Sequence, residues 1–252
     1  MKSTIVKILS LALGLCLAAC SHNSGFKKAP PEVTANTQMQ LAIEYMRLGQ
    51  LANARDNIEH ALILNPASPD VQMTAGLVYE RLNEKSKAEH AYATGYRLGK
   101  GNPNIENTYA GYLCRTGKAA AGEKLFDEVA RSPLYQTPEV ALVNAGVCVR
   151  GTGDLVDAER YFNRALAVHP NLPEALLQLG NIAFDRGDTA QARDTVLRYL
   201  AVNPPTAEVL WLGFRAERKL GDATAAAGYA RRVQTEFPNS DQAQMMRSGI
   251  DR

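Results

Sequence analysis

The chain has 252 residues, of which 46% are hydrophobic and 21% charged, the usage of a globular protein that can bury a core rather than of a disordered polymer. Its formal charge is +2, and once Lys2 and Lys7 are set aside the basic and acidic residues balance, which argues against a nucleic-acid-binding protein with its basic excess. Four cysteines are too few for a disulfide scaffold, and they form no CxxC or Cys/His pairing that would point to zinc.

Residues 1 to 20 run from a cationic start, through an apolar stretch from Ile8 to Leu17, to Ala18-Ala19-Cys20, the order of a signal peptide. The stretch is shorter than the roughly 20 apolar residues of a membrane-spanning helix, so export without a transmembrane span is expected. Leu17-Ala18-Ala19-Cys20 resembles the bacterial lipobox, which implies that residues 1–19 are removed and that Cys20 is lipidated as the mature N-terminus. Several acyl chains on one residue anchor stably. Ser21 stands where an aspartate would resemble an inner-membrane retention signal, so the similarity implies the periplasmic face of the outer membrane. The residues that follow, to 34, lack an apolar period and carry Gly, Ser and the Pro30-Pro31 pair. Residues 20–34 are therefore read as the lipidated terminus and a flexible linker.

From residue 35 the chain is periodic. Pro170, Pro204 and Pro238 are spaced 34 residues apart, and Pro66 joins the series if two residues are inserted between it and Pro170. A period of 34 is the length of the tetratricopeptide repeat, a helix-turn-helix unit. Six windows fit: 35–68, 69–102, 103–138, 139–172, 173–206 and 207–240, with the inserted residues near Pro133 to Pro138. Small residues recur where the two helices must approach (Ala42, Gly76, Ala110, Gly146, Gly180), and aromatic or branched residues fill the space between them (Ile58, Tyr92, Phe126, Phe162). The sixth window departs from the pattern at Gly213 and Glu217, as terminal repeats do. Gly49, Gly117, Gly153, Gly187 and Gly221 are expected to end first helices in the left-handed conformation. Pro69, Pro103 and Pro173 are expected to open them, where a missing N–H is harmless. One hairpin cannot bury its apolar face alone, so the fold class expected is all-α: a right-handed superhelix of six repeats with a concave groove. Residues 241–252 are expected to form a capping helix.

No nucleophile-base-acid arrangement, phosphate-cradling glycine loop or walled carboxylate pair is present, so no catalytic residue, cofactor, metal or small-molecule substrate is assigned. Binding through the groove is the expected activity. In such arrays the groove is lined by positions 2, 5, 9, 12 and 13 of each first helix. These positions in the first two repeats hold Met39, Ile43, Met46, Met73 and Leu77, an apolar stripe suited to a peptide or amphipathic helix. In the sixth repeat they hold Arg215, Arg218 and Lys219 beside Trp211, which suits an acidic partner.

With Cys16 lost and Cys20 acylated, Cys114 and Cys148 remain in an oxidising compartment. They fall in first helices of consecutive repeats, whose axes pack roughly 8 to 10 Å apart, and a disulfide between them is expected.

Three features together resemble the type IV pilus biogenesis lipoproteins of the PilF/PilW type. They are the lipobox ending at Cys20, the six repeats, and a central stretch with Asn107-Thr-Tyr-Ala-Gly-Tyr-Leu-Cys114-Arg-Thr-Gly117, Pro133-Leu-Tyr-Gln-Thr-Pro138-Glu and Leu142-Val-Asn-Ala-Gly-Val-Cys148. The resemblance implies a pilotin, which helps the outer-membrane secretin reach its membrane and multimerise. The apolar stripe is then the expected secretin contact. The rival expectations are a lipoprotein scaffold for cell-wall hydrolases and an accessory of general outer-membrane protein assembly.

Overall fold

The computed structural model describes residues 29–249. Among the described residues the secondary structure is entirely helical. Six hairpins follow one another, α1 (Pro31–Arg47) with α2 (Leu51–Leu64), α3 (Pro69–Arg81) with α4 (Lys85–Leu98), α5 (Pro103–Arg115) with α6 (Ala119–Arg131), α7 (Pro138–Arg150) with α8 (Leu155–Val168), α9 (Pro173–Asp185) with α10 (Thr189–Val202), and α11 (Ala207–Leu220) with α12 (Ala223–Glu236), and α13 (Asp241–Arg247) closes the chain. Each second helix packs on the next first helix, and first helices touch one another along the array. This is the tetratricopeptide superhelix, with α13 lying against α11 and α12.

Local chemistry sets the helix ends. Proline occupies the first turn of α1, α3, α5, α7 and α9, where its missing N–H leaves no bond unmade. Ser68, Asp154, Asp188, Thr206, Asp222 and Ser240 each accept a backbone N–H three residues on, satisfying one of the orphan donors of a helix start. The first helices end on a left-handed residue, glycine at 49, 117, 153, 187 and 221 and Asn83 at φ 59° in the second repeat. At five of the six turns the N–H after it reaches back to the carbonyl five residues earlier: Gln50 to Tyr45, Glu84 to Tyr79, Lys118 to Leu113, Asp188 to Ala183 and Asp222 to Glu217. That bond is the signature of the Schellman turn. The fourth repeat is the exception: α7 stops at Arg150 and Gly153 bonds back to Arg150.

The second helices begin at 51, 85, 119, 155, 189 and 223, so the two extra residues lie between the third and fourth repeats. They lengthen the connection from α6 to α7 to residues 132–137, and Tyr135 of that connection is buried against Val129 and Ala141. At the other end of the array one boundary differs from expectation. Residues 31–34, read as linker, are the first turn of α1. Pro30 caps that helix and Pro31 opens it, so the proline pair that reads as a loop signal is here a helix start.

Inside the second and fourth hairpins a glycine on the first helix faces an aromatic ring sixteen residues later. A Cβ placed on Gly76 would stand 2.8 Å from the Tyr92 ring, and one on Gly146 would stand 2.7 Å from Phe162. The sixth repeat keeps the same spacing one residue out of register, with Gly213 under Tyr229 at 2.9 Å. Its departure from the repeat pattern is thus a shift of the same contact. The two largest core clusters divide along the chain, one spanning the first two repeats and the start of the third, the other running from the third repeat to the cap.

Candidate functional site: the concave groove

The groove is lined by first helices, and the five residues of the predicted apolar stripe all lie on α1 and α3. They do not form one exposed stripe. Met39 and Met73 retain only 9% and 4% of their exposure and belong to the core. The Met73 side chain packs 3.2 Å from where a Cβ on Gly95 of α4 would lie. Core packing accounts for both methionines, that of Met73 within its own hairpin. Ile43, Met46 and Leu77 are half-buried and lie against that core, so they are the part of the stripe that stays accessible.

A separate apolar pair stands in the fourth repeat, where Val140 and Val147 are 40% and 46% exposed. They occupy groove positions 2 and 9, so the repeat register alone identifies them once it is applied to every window. Val147 also lines a cavity of about 290 Å³ with Gly111, Asn144 and the two cysteines. At its floor Cys114 and Cys148 are joined as a disulfide, with Cα atoms 5.5 Å apart. Cys20 lies outside the described residues.

Polar contacts cross from repeat to repeat. Asn144 donates to Asn107 at 3.2 Å. Arg115 binds Glu80 through two nitrogens at 2.7 and 2.9 Å, while the Tyr92 hydroxyl donates to the same carboxylate at 2.8 Å. The Arg115 guanidinium, helped by Tyr92, holds the Glu80 carboxyl below the usual carboxylate range. Burial, reinforced by Glu80, pushes the Tyr92 phenol well above its ordinary value. Arg150 donates to Gln178 at 2.6 Å and to Asp185 at 2.8 Å. These neutral and charged bonds tie neighbouring first helices to one another.

The C-terminal end of the groove is aromatic and basic. Trp211 and Phe214 pack with ring centres 5.3 Å apart, and the Arg215 guanidinium and Lys219 ammonium lie 4.0 and 5.1 Å from the centre of the Phe184 ring. Arg218 lies over Phe214 at 5.4 Å. The predicted basic cluster is therefore assembled on two phenylalanines. Phe184 occupies groove position 12 of the fifth repeat, so the same register would have identified it. Among the described residues no cluster of metal-ligating side chains is present, and no helix is long and apolar enough to cross a membrane.

Tetratricopeptide repeat models match residues 39–103, 150–212 and 209–240. The type IV pilus assembly protein PilF of Pseudomonas aeruginosa is 20% identical over 95% of both chains. A solved structure of that protein superposes with a TM-score of 0.66, covering 87% of this chain and 99% of that one. The crystal structure of PilW, a widely conserved type IV pilus biogenesis factor, is 30% identical and superposes with a TM-score of 0.71, covering 84% of this chain and 97% of PilW. With that identity over nearly all of PilW, the chain belongs to the PilW/PilF family of tetratricopeptide type IV pilus biogenesis proteins.

Proposed function

We propose that the protein is a pilotin, a lipoprotein anchored through Cys20 at the periplasmic face of the outer membrane that binds the secretin of the type IV pilus and promotes its localisation and multimerisation. The observation that carries this reading is the likeness to PilW across 97% of that chain. The groove supports it physically: Ile43, Met46 and Leu77 are half-buried apolar side chains over a packed core, a surface that an amphipathic segment of an unassembled client would cover. Met39 and Met73 act from beneath by fixing the positions of those three. The role is that of a non-enzymatic scaffold, with no cofactor and no small-molecule substrate.

The test is deletion of the gene followed by immunoblotting of the secretin in unheated membrane fractions, where multimer and monomer separate. Loss of the multimer, restored by the wild-type gene but misplaced with a Cys20→Ala form, is the expected result. Normal secretin multimers in the deletion strain would transfer the lead to a scaffold for cell-wall hydrolases or to general outer-membrane protein assembly.

A further inference from the structure

A second contact surface lies at the far end of the groove from Ile43, Met46 and Leu77. Arg215 and Lys219 both lie over one ring, Phe184. Among the described residues neither makes an ion pair or a hydrogen bond, whereas Arg218 is engaged elsewhere. A guanidinium held flat on a ring keeps its in-plane N–H donors free, and a stacked ammonium keeps most of its three. In the third and fourth repeats the groove arginines are already committed, Arg115 to Glu80 and Arg150 to Asp185 and Gln178. Two like charges gathered over one ring repel each other, and an anion placed between them relieves that repulsion.

One helical turn before Arg215, Trp211 borders a cavity of about 580 Å³ whose walls include Leu177, Gln178 and Asn181. Glu174 and Glu208 also line it, Glu208 seven residues before Arg215 and so about 10 Å away along the helix. This end of the groove is therefore polar along its length, with carboxylates at the helix starts and unpaired cations near the helix ends. It admits a segment that carries negative charge at one end and an apolar side chain next to it.

We propose that the groove of the fifth and sixth repeats binds an acidic peptide segment of a partner protein, its carboxylates held by Arg215 and Lys219 and an adjoining apolar side chain seated against Trp211. The site does not depend on the identity of the client at the first two repeats.

Trp211 is the single tryptophan of the chain, so its fluorescence reports on the site directly. The full-length protein in detergent is titrated with a short synthetic peptide of leucine and glutamate ending in aspartate, and with the same peptide carrying glutamine and asparagine instead. The acidic peptide is expected to shift the emission saturably, to weaken with salt, and to lose roughly tenfold or more in affinity in an Arg215→Gln/Lys219→Gln variant, as removal of charge-assisted hydrogen bonds does. Lys219→Gln alone, an exposed substitution that leaves the fold intact by circular dichroism, is expected to weaken binding in the same direction. A Met46→Glu/Leu77→Glu variant is expected to bind the peptide unchanged, which separates this site from the secretin contact. Equal binding of the uncharged peptide, binding insensitive to the double substitution, or the same response to anionic phosphatidylglycerol vesicles without peptide binding would each overturn the proposal.

Discussion

The sulfur of Cys114 lies against the backbone of Gly122: a Cβ on that glycine would stand 2.4 Å from the Sγ and 2.8 Å from the Ala110 carbonyl oxygen. The corresponding residue of the other hairpins is alanine, at 54, 88, 158, 192 and 226. Glycine replaces it only in the repeat whose first helix carries a half-cystine on that side. The missing methyl is the space the disulfide occupies.

Gly122→Ala is accordingly expected to destabilise the protein by about 1–3 kcal/mol, the usual consequence of overpacking, read as a lower urea midpoint. In the wild-type protein, alkylation without reductant followed by mass spectrometry should find neither thiol modified. The loop closed by the bond spans 34 residues, for which the chain-entropy model gives about 3.5–4 kcal/mol. Two modified thiols would remove the disulfide from the account.

Two glycine substitutions of opposite sign test the packing. Gly76→Ala drives a methyl into the Tyr92 ring and should cost about 1–3 kcal/mol despite the better helix propensity of alanine. Gly228, inside α12, has no atom within 4 Å of an added Cβ. Gly228→Ala should therefore stabilise by about 0.5–1 kcal/mol, read as a rise in the urea midpoint at unchanged slope.

The bidentate pair between Arg115 and Glu80, with Tyr92 as a third partner, predicts a pH dependence. Hydrogen bonding from Arg115 lowers the folded-state pKa of Glu80 below the ordinary value of 4.5. The folded state then binds fewer protons than the unfolded state, so this contribution is fully present above pH 4.5 and is lost as the pH falls through the lowered value. Glu80 and Arg115 keep 28% and 49% of their side-chain exposure, so the effect is modest and screened by salt. Urea titrations should show wild type ahead of Glu80→Gln near neutral pH, with the gap closing on acidification. A gap that grows in acid would contradict the pairing.

At the proposed secretin contact, burial sorts the substitutions. Met46→Glu with Leu77→Glu changes half-buried groove side chains and should abolish co-purification of the secretin while circular dichroism stays helical. Met73→Glu puts a charge at a site with 4% exposure and should lower stability by several kcal/mol, so loss of binding there reports on folding. Undiminished co-purification by the first variant would move the contact elsewhere along the groove.

The turn at Asn83 offers a final check, because it holds a left-handed conformation without glycine, at φ 59°. Asn83→Val should destabilise measurably and Asn83→Gly should be nearly neutral, since β-branched residues resist that conformation and glycine does not. Thermal melts of the two variants distinguish them.

Much of this architecture is legible in one dimension because the repeat is a local object. The spacing of Pro66, Pro170, Pro204 and Pro238 and the recurring turn glycines specify helix length, turn and partner within a single hairpin, and stacking only repeats that solution. The cap at α13 and the two-residue insertion before α7 follow from the same register. The proline pair at 30 and 31 is ambiguous for the opposite reason: proline is equally at home in a linker and in the first turn of a helix, and only the packing of α1 on its neighbours selects the helix.

Fold class, hairpin number and repeat register are legible from the residues alone, because periodicity is written in residue types. The tertiary structure decided which of the expected groove positions are accessible. Met39 and Met73 turn into the core while Ile43, Met46 and Leu77 stay accessible, since a flexible side chain at a helix edge takes whichever space its neighbours leave. Packing likewise decided that Arg115 and Arg150 are paired across repeats while Arg215 and Lys219 rest on Phe184, because those contacts join residues of different repeats, whose separation depends on how the hairpins stack.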